Sequence, residues 1–344
     1  MKDRVKEGVD NGIEPSQIAI IARRWDLLDK ERALLEKKAG IPTNALQGKE
    51  ISLVRNLVTQ LLLQELESSP DTILPSDKSV KSRFEEFFIK IKRDLAEPTV
   101  KRLIKIAEII DTERGYGNEN LAQPIVTSEI ITSIYEFNDN PEHSIDPDAV
   151  VVTTCHSVKG LEFKHVILLA DGFSHQSHEI EQERRLFYVA MTRAKEKLLL
   201  TYTRPSKFVT ETDPNNYPVE NNIGIIPPQL IFYYDMTPKD VYLGFEATKS
   251  SQDIIMKLKE GDLIDLRATL KDNWKVCYNN QIIGLLSRKA VTDLTGKNIN
   301  TNSFKFKPGE VTVRNIYRHI ESNEITGEIT DEWYVVIPRI SVCR

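Results

Sequence analysis

Two stretches of this chain alternate apolar runs of strand length with segments of helical period, the pattern of an α/β sheet. The longer one, residues 149–203, reads as a strand over 150–154, a polar turn over 155–160 and a second strand over 165–170. A charged loop, a helix through residues 183–193 and a last strand complete it. The shorter one begins with an apolar strand over 16–22 that ends at Arg23, Arg24 and Trp25. A helix is predicted over 27–39 from Leu27, Leu28, Ala33, Leu34 and Leu35, with Gly40 as its stop, and Ile41-Pro42 opens the next extended piece.

Between these stretches the period is helical. Leu53, Val54, Leu57, Val58, Leu61 and Leu62 form one stripe. Phe84, Phe87, Phe88, Ile91 and Leu95 form a second, and Val100, Leu103, Ile104, Ala107 and Ile110 a third. A small helical bundle inserted into the α/β domain accounts for all three. Its basic residues Lys90, Lys92, Arg93, Lys101, Arg102 and Lys105 alternate with acidic ones, as on a solvated helix face.

After Thr203 the composition turns to Pro, Asn, Asp and Ser as far as Pro228, which reads as a linker. Short strand-like runs follow, with a helix over 251–259 and Asn279-Asn280 placed for a tight hairpin. These predict a small β-rich domain closing into a partial barrel. Trp274 and Tyr278 are assigned to its core, Arg288 and Lys289 to its rim.

Candidate chemistry gathers in the longer stretch. Ligands of open α/β sheets sit beyond the carboxyl ends of the strands, so Thr154, His156, Lys159 and Glu162 are expected there. Gly160 allows a sharp turn without a Cβ clash. An ordinary turn with solvated polar groups fits these residues equally well. Further on, Leu186, Val189 and Ala190 form a sheet-facing stripe with Arg193 in phase. A guanidinium there either complements the dipole at the helix C-terminus or meets a polyphosphate across a cleft.

Composition narrows the classes. In 344 residues, 40% hydrophobic and 28% charged, there is material for more than one core. A net charge of -5 argues against indiscriminate polyanion binding but leaves room for a local DNA groove. Cys155, Cys277 and Cys343 are too scattered for a zinc site or a disulfide framework, and no metal ligands are assigned. Without an apolar run of membrane length or a signal peptide, a soluble cytoplasmic protein with no membrane partner is expected.

The segments TTCHSVKGLEF and ERRLFYVAMTRAKEKLLLTY resemble the fifth and sixth helicase motifs of the UvrD/Rep/PcrA group of superfamily 1 DNA helicases. The run from residue 16 to 46 is similar to the start of the second RecA-like domain of that group. The resemblance implies that Arg193 is an arginine finger for the γ-phosphate of ATP held on another domain. It puts Glu162 near the nucleotide ribose, with Gly160 on the same nucleotide side. Thr154, His156 and Lys159 are carried over as single-stranded DNA contacts.

The position of the helical insertion matches the accessory subdomain of these helicases. The tail from Tyr242-Leu-Gly-Phe onward resembles that of large bacterial RecQ-like helicases with a UvrD-like second half. The expected architecture is therefore a partial RecA-like parallel sheet (1–46 and 147–205) with a helical insertion (47–146). A linker (206–228) and a small β-rich domain (229–344) follow.

Hydrolysis by that group requires a phosphate loop, G-x-x-x-x-G-K-[ST], and an acidic pair for Mg2+. Gln47-Gly48-Lys49-Glu50 and Thr295-Gly296-Lys297-Asn298 lack the first glycine and the hydroxyl after lysine, and Asp331-Glu332 precedes a strand instead of ending one. No arginine-bearing motif lies between Met1 and Ile13, which reads as a shortened entry into the domain. The expected function is the C-terminal portion of an ATP-dependent DNA helicase, inactive alone and working with ATP, Mg2+ and a phosphate-loop domain in cis or in trans. A non-catalytic RecA-like module that binds DNA or a partner is the alternative.

Overall fold

A computed structural model describes residues 2–46, 51–118, 122–139, 146, 148–174, 176, 178–212, 231–244, 249–268, 274–296, 307–323 and 326–343. The chain divides into two compact units. One comprises Met1–Glu50, Ile145–Tyr233 and Cys343–Arg344; the other comprises Ile51–Ser144 and Tyr234–Val342.

The first unit is built on strands β1 (Ile18–Ala22), β2 (Thr43–Leu46), β3 (Val150–Thr154), β4 (Phe163–Leu169) and β5 (Ala194–Thr201), in the spatial order β2-β3-β1-β4-β5. Every pairing is parallel, with Ala19 opposite Val151, Ile20 opposite Ile167 and Val166 opposite Leu198. β1 and β3 are buried at every residue, which is why their sequences are nearly unbroken apolar runs. β1 sends the chain to one side and β3 to the other, so the direction of winding reverses between two neighbouring strands.

Among the described residues the sheet is covered by helices α1 (Lys2–Asp10), α2 (Trp25–Leu34), α3 (Ile180–Met191) and α4 (Lys207–Glu211). Val5, Leu28 and Leu35 pack on one face with Ile18, Ile20, Val152 and Ile167. Phe187, Ala190 and Phe208 pack on the other with Ala19, Ile21, Val151 and Leu168. Gly40 adopts φ +65° and ends the α2 region as expected, although residues 35–39 form a wider π turn.

Several local expectations shift. Pro15 starts a 3-10 turn, so the first strand begins at Ile18, not at residue 16. The second strand of the motif region begins at Phe163 and ends at Leu169. The N-terminal residues form α1, whose Val5 enters the core. On α3 the buried face is Glu183, Phe187 and Ala190, while Leu186 sits at its margin and Val189 is half-buried. Residues 207–211, expected as linker, form α4, capped by Ser206 and anchored by buried Phe208 and Val209. Residues 213–228 lie outside the described residues.

The second unit combines the helical insertion with the C-terminal strands, which were expected as separate domains. Helices Leu57–Glu67, Val80–Lys90, Pro98–Glu113 and Thr127–Asp139 pack around Leu62, Phe84, Phe88, Leu103, Ile106 and Ile130. Lys81, Lys90 and Lys105 make surface ion pairs, as a solvated face implies, but Arg93 is buried. Asp265–Ala268, Trp274–Tyr278 and Gln281–Leu285 form an antiparallel sheet whose Asn279 and Asn280 both take positive φ, confirming the tight hairpin. Trp274 is buried, while Arg288 and Lys289 are exposed. The helix expected over 251–259 spans Lys249–Ile255.

The two three-stranded sheets of this region are joined at both seams by antiparallel bridges, Leu263 with Thr312 and Val241 with Leu286, in keeping with the partly closed barrel expected. Two long strands, Lys307–Ser322 and Ile329–Cys343, lie side by side in one of these sheets, and Ile264 N donates to Val311 O and Tyr242 N to Leu285 O across the seams. No helix among those residues is long and apolar enough to cross a membrane.

Candidate functional site

A parallel sheet delivers the ends of all its strands to one edge. There β1 ends at Ala22 and β3 at Thr154, and the turn after β3 is tied to the end of β1 by Cys155 N donating to Ala22 O at 2.9 Å. Ser157 N and Val158 N both donate to Thr154 O, and the Thr154 and Ser157 hydroxyls are 3.2 Å apart. Thr154 is buried, so its hydroxyl braces the turn, whereas His156 and Lys159 are exposed. Burial pushes the Cys155 thiol up to about 12, which leaves it protonated and unreactive at neutral pH.

Gly160 has φ +90° and nothing within 4 Å of where a Cβ would stand. The backbone conformation, not crowding, requires glycine. Beyond it the chain has crossed the sheet. β3 and β4 are both parallel to β1, so their connection must return over one face, and Cys155, Val158 and Leu161 are buried in the same core layer as α3. Glu162 therefore stands at the amino edge, not beyond the carboxyl ends as its sequence position suggested.

Arg193 arrives at that same amino edge, because α3 runs back against the strands and ends just before β5. Phe163 N donates to Arg193 O at 2.9 Å, which joins the start of β4 to the residue after α3. The half-buried guanidinium donates from Nε to Val189 O at 3.0 Å, from Nη1 to Leu161 O at 3.2 Å and from Nη2 to Thr192 Oγ1 at 3.2 Å. It thus closes the last turn of α3. Glu162 is exposed and pairs with Lys195 at 3.3 Å.

One charged pair at the carboxyl edge escaped the sequence reading. Arg23 meets Glu183 of α3 through Nε at 3.0 Å to Oε1 and 2.9 Å to Oε2, and through Nη2 at 2.8 Å to Oε1. Ser174 N adds a bond to Oε2 at 3.1 Å. Burial acts to raise the Glu183 carboxyl, but Arg23 and Ser174, helped by His156, hold it below the usual carboxylate value. The signal was present: Glu183 is in phase with Phe187 and Ala190, and a carboxylate on a core face demands a cation.

Arg23→Ala is expected to destabilise the first unit by about 2 kcal/mol, less than a fully buried pair because the Arg23 side chain is 27% exposed. Urea unfolding checks this, with Arg23→Ala/Glu183→Gln expected to lose little more than the single change. A shift below about 0.5 kcal/mol for Arg23→Ala would show the pair to be ornamental.

The Thr154 and His156 group and the Glu162 and Arg193 group are thus held on opposite edges of one sheet. Among the described residues no cluster of three or more His, Cys, Asp or Glu is placed to hold a metal ion.

Residues 7–205 match the UvrD-like helicase C-terminal domain family. The chain is 30% identical over 216 residues to the probable DNA helicase II homolog of Mycoplasma genitalium, covering 56% of this chain and 28% of that protein. It is 30% identical over 158 residues to ATP-dependent DNA helicase PcrA of Bacillus subtilis, covering 42% of this chain and 21% of that protein. With DNA helicase II of Escherichia coli it shares 27% over 213 residues, 55% of this chain and 28% of that protein. The chain spans less than a third of the length of each of these relatives.

Proposed function

The chain belongs to the UvrD-like helicase C-terminal domain family, and from that premise we propose that it supplies the arginine-finger half of an ATP-driven motor on single-stranded DNA. The observation that carries this reading is the convergence of Glu162 and Arg193 at one edge, from segments that the chain order keeps apart. A half-buried guanidinium with a forked donor set suits a polyphosphate, and an exposed carboxylate beside it suits ribose hydroxyls. ATP bound with Mg2+ on a phosphate-loop domain, in cis or in trans, supplies the phosphoryl group and the metal charge.

In this reading Arg193 stabilises charge developing on the γ-phosphate, Glu162 orients the nucleotide, and Gly160 sets the bend that presents them. His156 faces the DNA backbone from the carboxyl edge, Lys159 joins it as a DNA contact from the crossing turn, and Thr154 holds the start of that turn through Ser157. A second reading is favoured by the three bonds Arg193 makes to its own surroundings: a non-catalytic module that binds DNA or a partner, with the guanidinium only closing α3.

His156→Ala separates the two edges. In the assembly with a phosphate-loop domain, oligo-dT affinity by fluorescence anisotropy is expected to fall several-fold and DNA stimulation to weaken. Basal ATP hydrolysis is expected to stay near wild type. Equal loss of basal hydrolysis would contradict the assignment of the two edges to different ligands.

A further inference from the structure

Glu260 lies in the turn after the Lys249–Ile255 helix, in the part of the chain beyond the family match. Half-buried as a residue, it extends its carboxylate into a set of donors from three elements. Oε1 accepts from Asn56 Nδ2 at 2.9 Å, Thr99 Oγ1 at 2.8 Å and Asn315 Nδ2 at 3.2 Å, while Oε2 accepts from Thr99 N at 2.9 Å. All three partner residues are buried.

The identities of the partners matter more than their number. Asn56 is the N-cap of the Leu57–Glu67 helix, its Oδ1 accepting from Val58 N while its Nδ2 reaches Glu260. Thr99 is in the first turn of the Pro98–Glu113 helix, and Asn315 is within the Lys307–Ser322 strand. One carboxylate from the C-terminal segment therefore serves the positive ends of two helices of the insertion, whose exposed N–H groups need an acceptor.

Other bonds run the same way. Arg93 donates from Nη1 to Leu258 O at 2.6 Å and from Nη2 to Met256 O at 3.2 Å, and Arg318 donates from Nη1 to Gln60 Oε1 at 2.6 Å. A backbone bridge joins Asn56 to Tyr317.

We propose that residues 234–342 are an obligate intramolecular partner of the helical insertion, keyed by Glu260, so that the two open and close as one cooperative unit. Neither is a free-standing appendage of the parallel sheet. An event that loosens the C-terminal strands also loosens the first turns of the Leu57–Glu67 and Pro98–Glu113 helices.

Hydrogen exchange of the intact chain, read by mass spectrometry, tests this on Glu260→Gln. The substitution keeps the shape but presents an NH2 group to donors that need an acceptor. Amides of both helices and of the two long strands are expected to exchange about tenfold faster, by a common factor. Amides of β1 and β3 serve as the unaffected reference. Thr99→Val, which removes one donor and leaves the backbone bond, should give the same distribution with a smaller factor, and it remains informative if Glu260→Gln folds poorly. Faster exchange confined to residues 256–264, or to the strands without the helices, would overturn the proposal.

Discussion

Replacing Arg193 with alanine, in the chain joined to a phosphate-loop domain, is expected to lower turnover by about 10³ or more while nucleotide affinity changes little. The guanidinium sits half-buried after α3, fixed by Val189 O and Leu161 O, so a forked donor is pre-aimed instead of floating on the surface. Losing its contribution to the helix end costs about 0.3–1 kcal/mol, too little to unfold the unit. Arg193→Lys separates catalysis from capping. A lysine still complements the helix dipole but lacks the planar fork, so turnover should stay low while stability recovers. Single-turnover hydrolysis, nucleotide binding and thermal melting on both variants decide the matter. If lysine restores both turnover and melting temperature, Arg193 is a cap and nothing more.

Asp111→Ala is expected to produce the largest loss of stability, about 3–5 kcal/mol in the second unit. Asp111 accepts from Ser79 Oγ at 2.6 Å, Val80 N at 2.9 Å, Lys81 N at 3.1 Å and Arg114 Nε at 3.0 Å. It thereby ties the Pro98–Glu113 helix to the start of the Val80–Lys90 helix. Arg114, its side chain only 6% exposed, also donates to Gln123 O at 3.0 Å and to the carbonyls of Pro75 and Lys78. Removing the carboxylate leaves that guanidinium buried without its counter-charge, and the first N–H groups of a helix without an acceptor. A domain is stable by about 5–15 kcal/mol, so the loss is a large share of the total.

The pH dependence follows from the same bonds. Burial acts to raise the Asp111 carboxyl, but the donors from Ser79, Val80, Lys81 and Arg114 outweigh it and hold the group below its ordinary 3.8. A depressed carboxylate stabilises fully above its unfolded value and loses that contribution as pH falls through the folded one. Urea midpoints should therefore drop more steeply below pH 3.8 in the wild type than in Asp111→Asn. A wild-type slope no steeper than that of the variant, or a loss under about 1 kcal/mol for Asp111→Ala at neutral pH, would remove this residue from its organising role.

What the sequence made legible was whatever is decided locally. β1 and β3 announce themselves because both faces are covered, which favours an apolar run broken only by Thr153 and Thr154 at the end of β3. Gly40 and Asn279-Asn280 are legible because positive φ restricts the residue types within a turn. Less legible was anything set by distant pairing. Arg23 and Glu183 are 160 positions apart, and no local pattern joins them. Glu162 was misplaced because eight positions after Thr154 look close on paper, whereas a parallel crossover puts them at opposite edges. Phe208 and Val209 were hidden by polar neighbours although α4 buries both. On α3 the local period points to Leu186 and Val189 as well as Ala190, but the buried aromatic is Phe187, fixed by Phe173 and Phe208 from other parts of the chain with ring centroids 5.1 and 5.6 Å away.

The central position of β1 has a consequence for how the chain comes off the ribosome. Its partners Val151 and Ile167 are made roughly 130 to 150 residues after it. β2 cannot stand in, because β3 occupies the place between them. The nascent segment Ile-Ala-Ile-Ile-Ala thus waits through the whole helical excursion with both edges open and no charge within it. Uncharged β-prone segments with unpaired edges recruit other chains. The hazard for this protein is consequently greatest during synthesis, and it ends only when the second half of the sheet arrives to enclose the first strand.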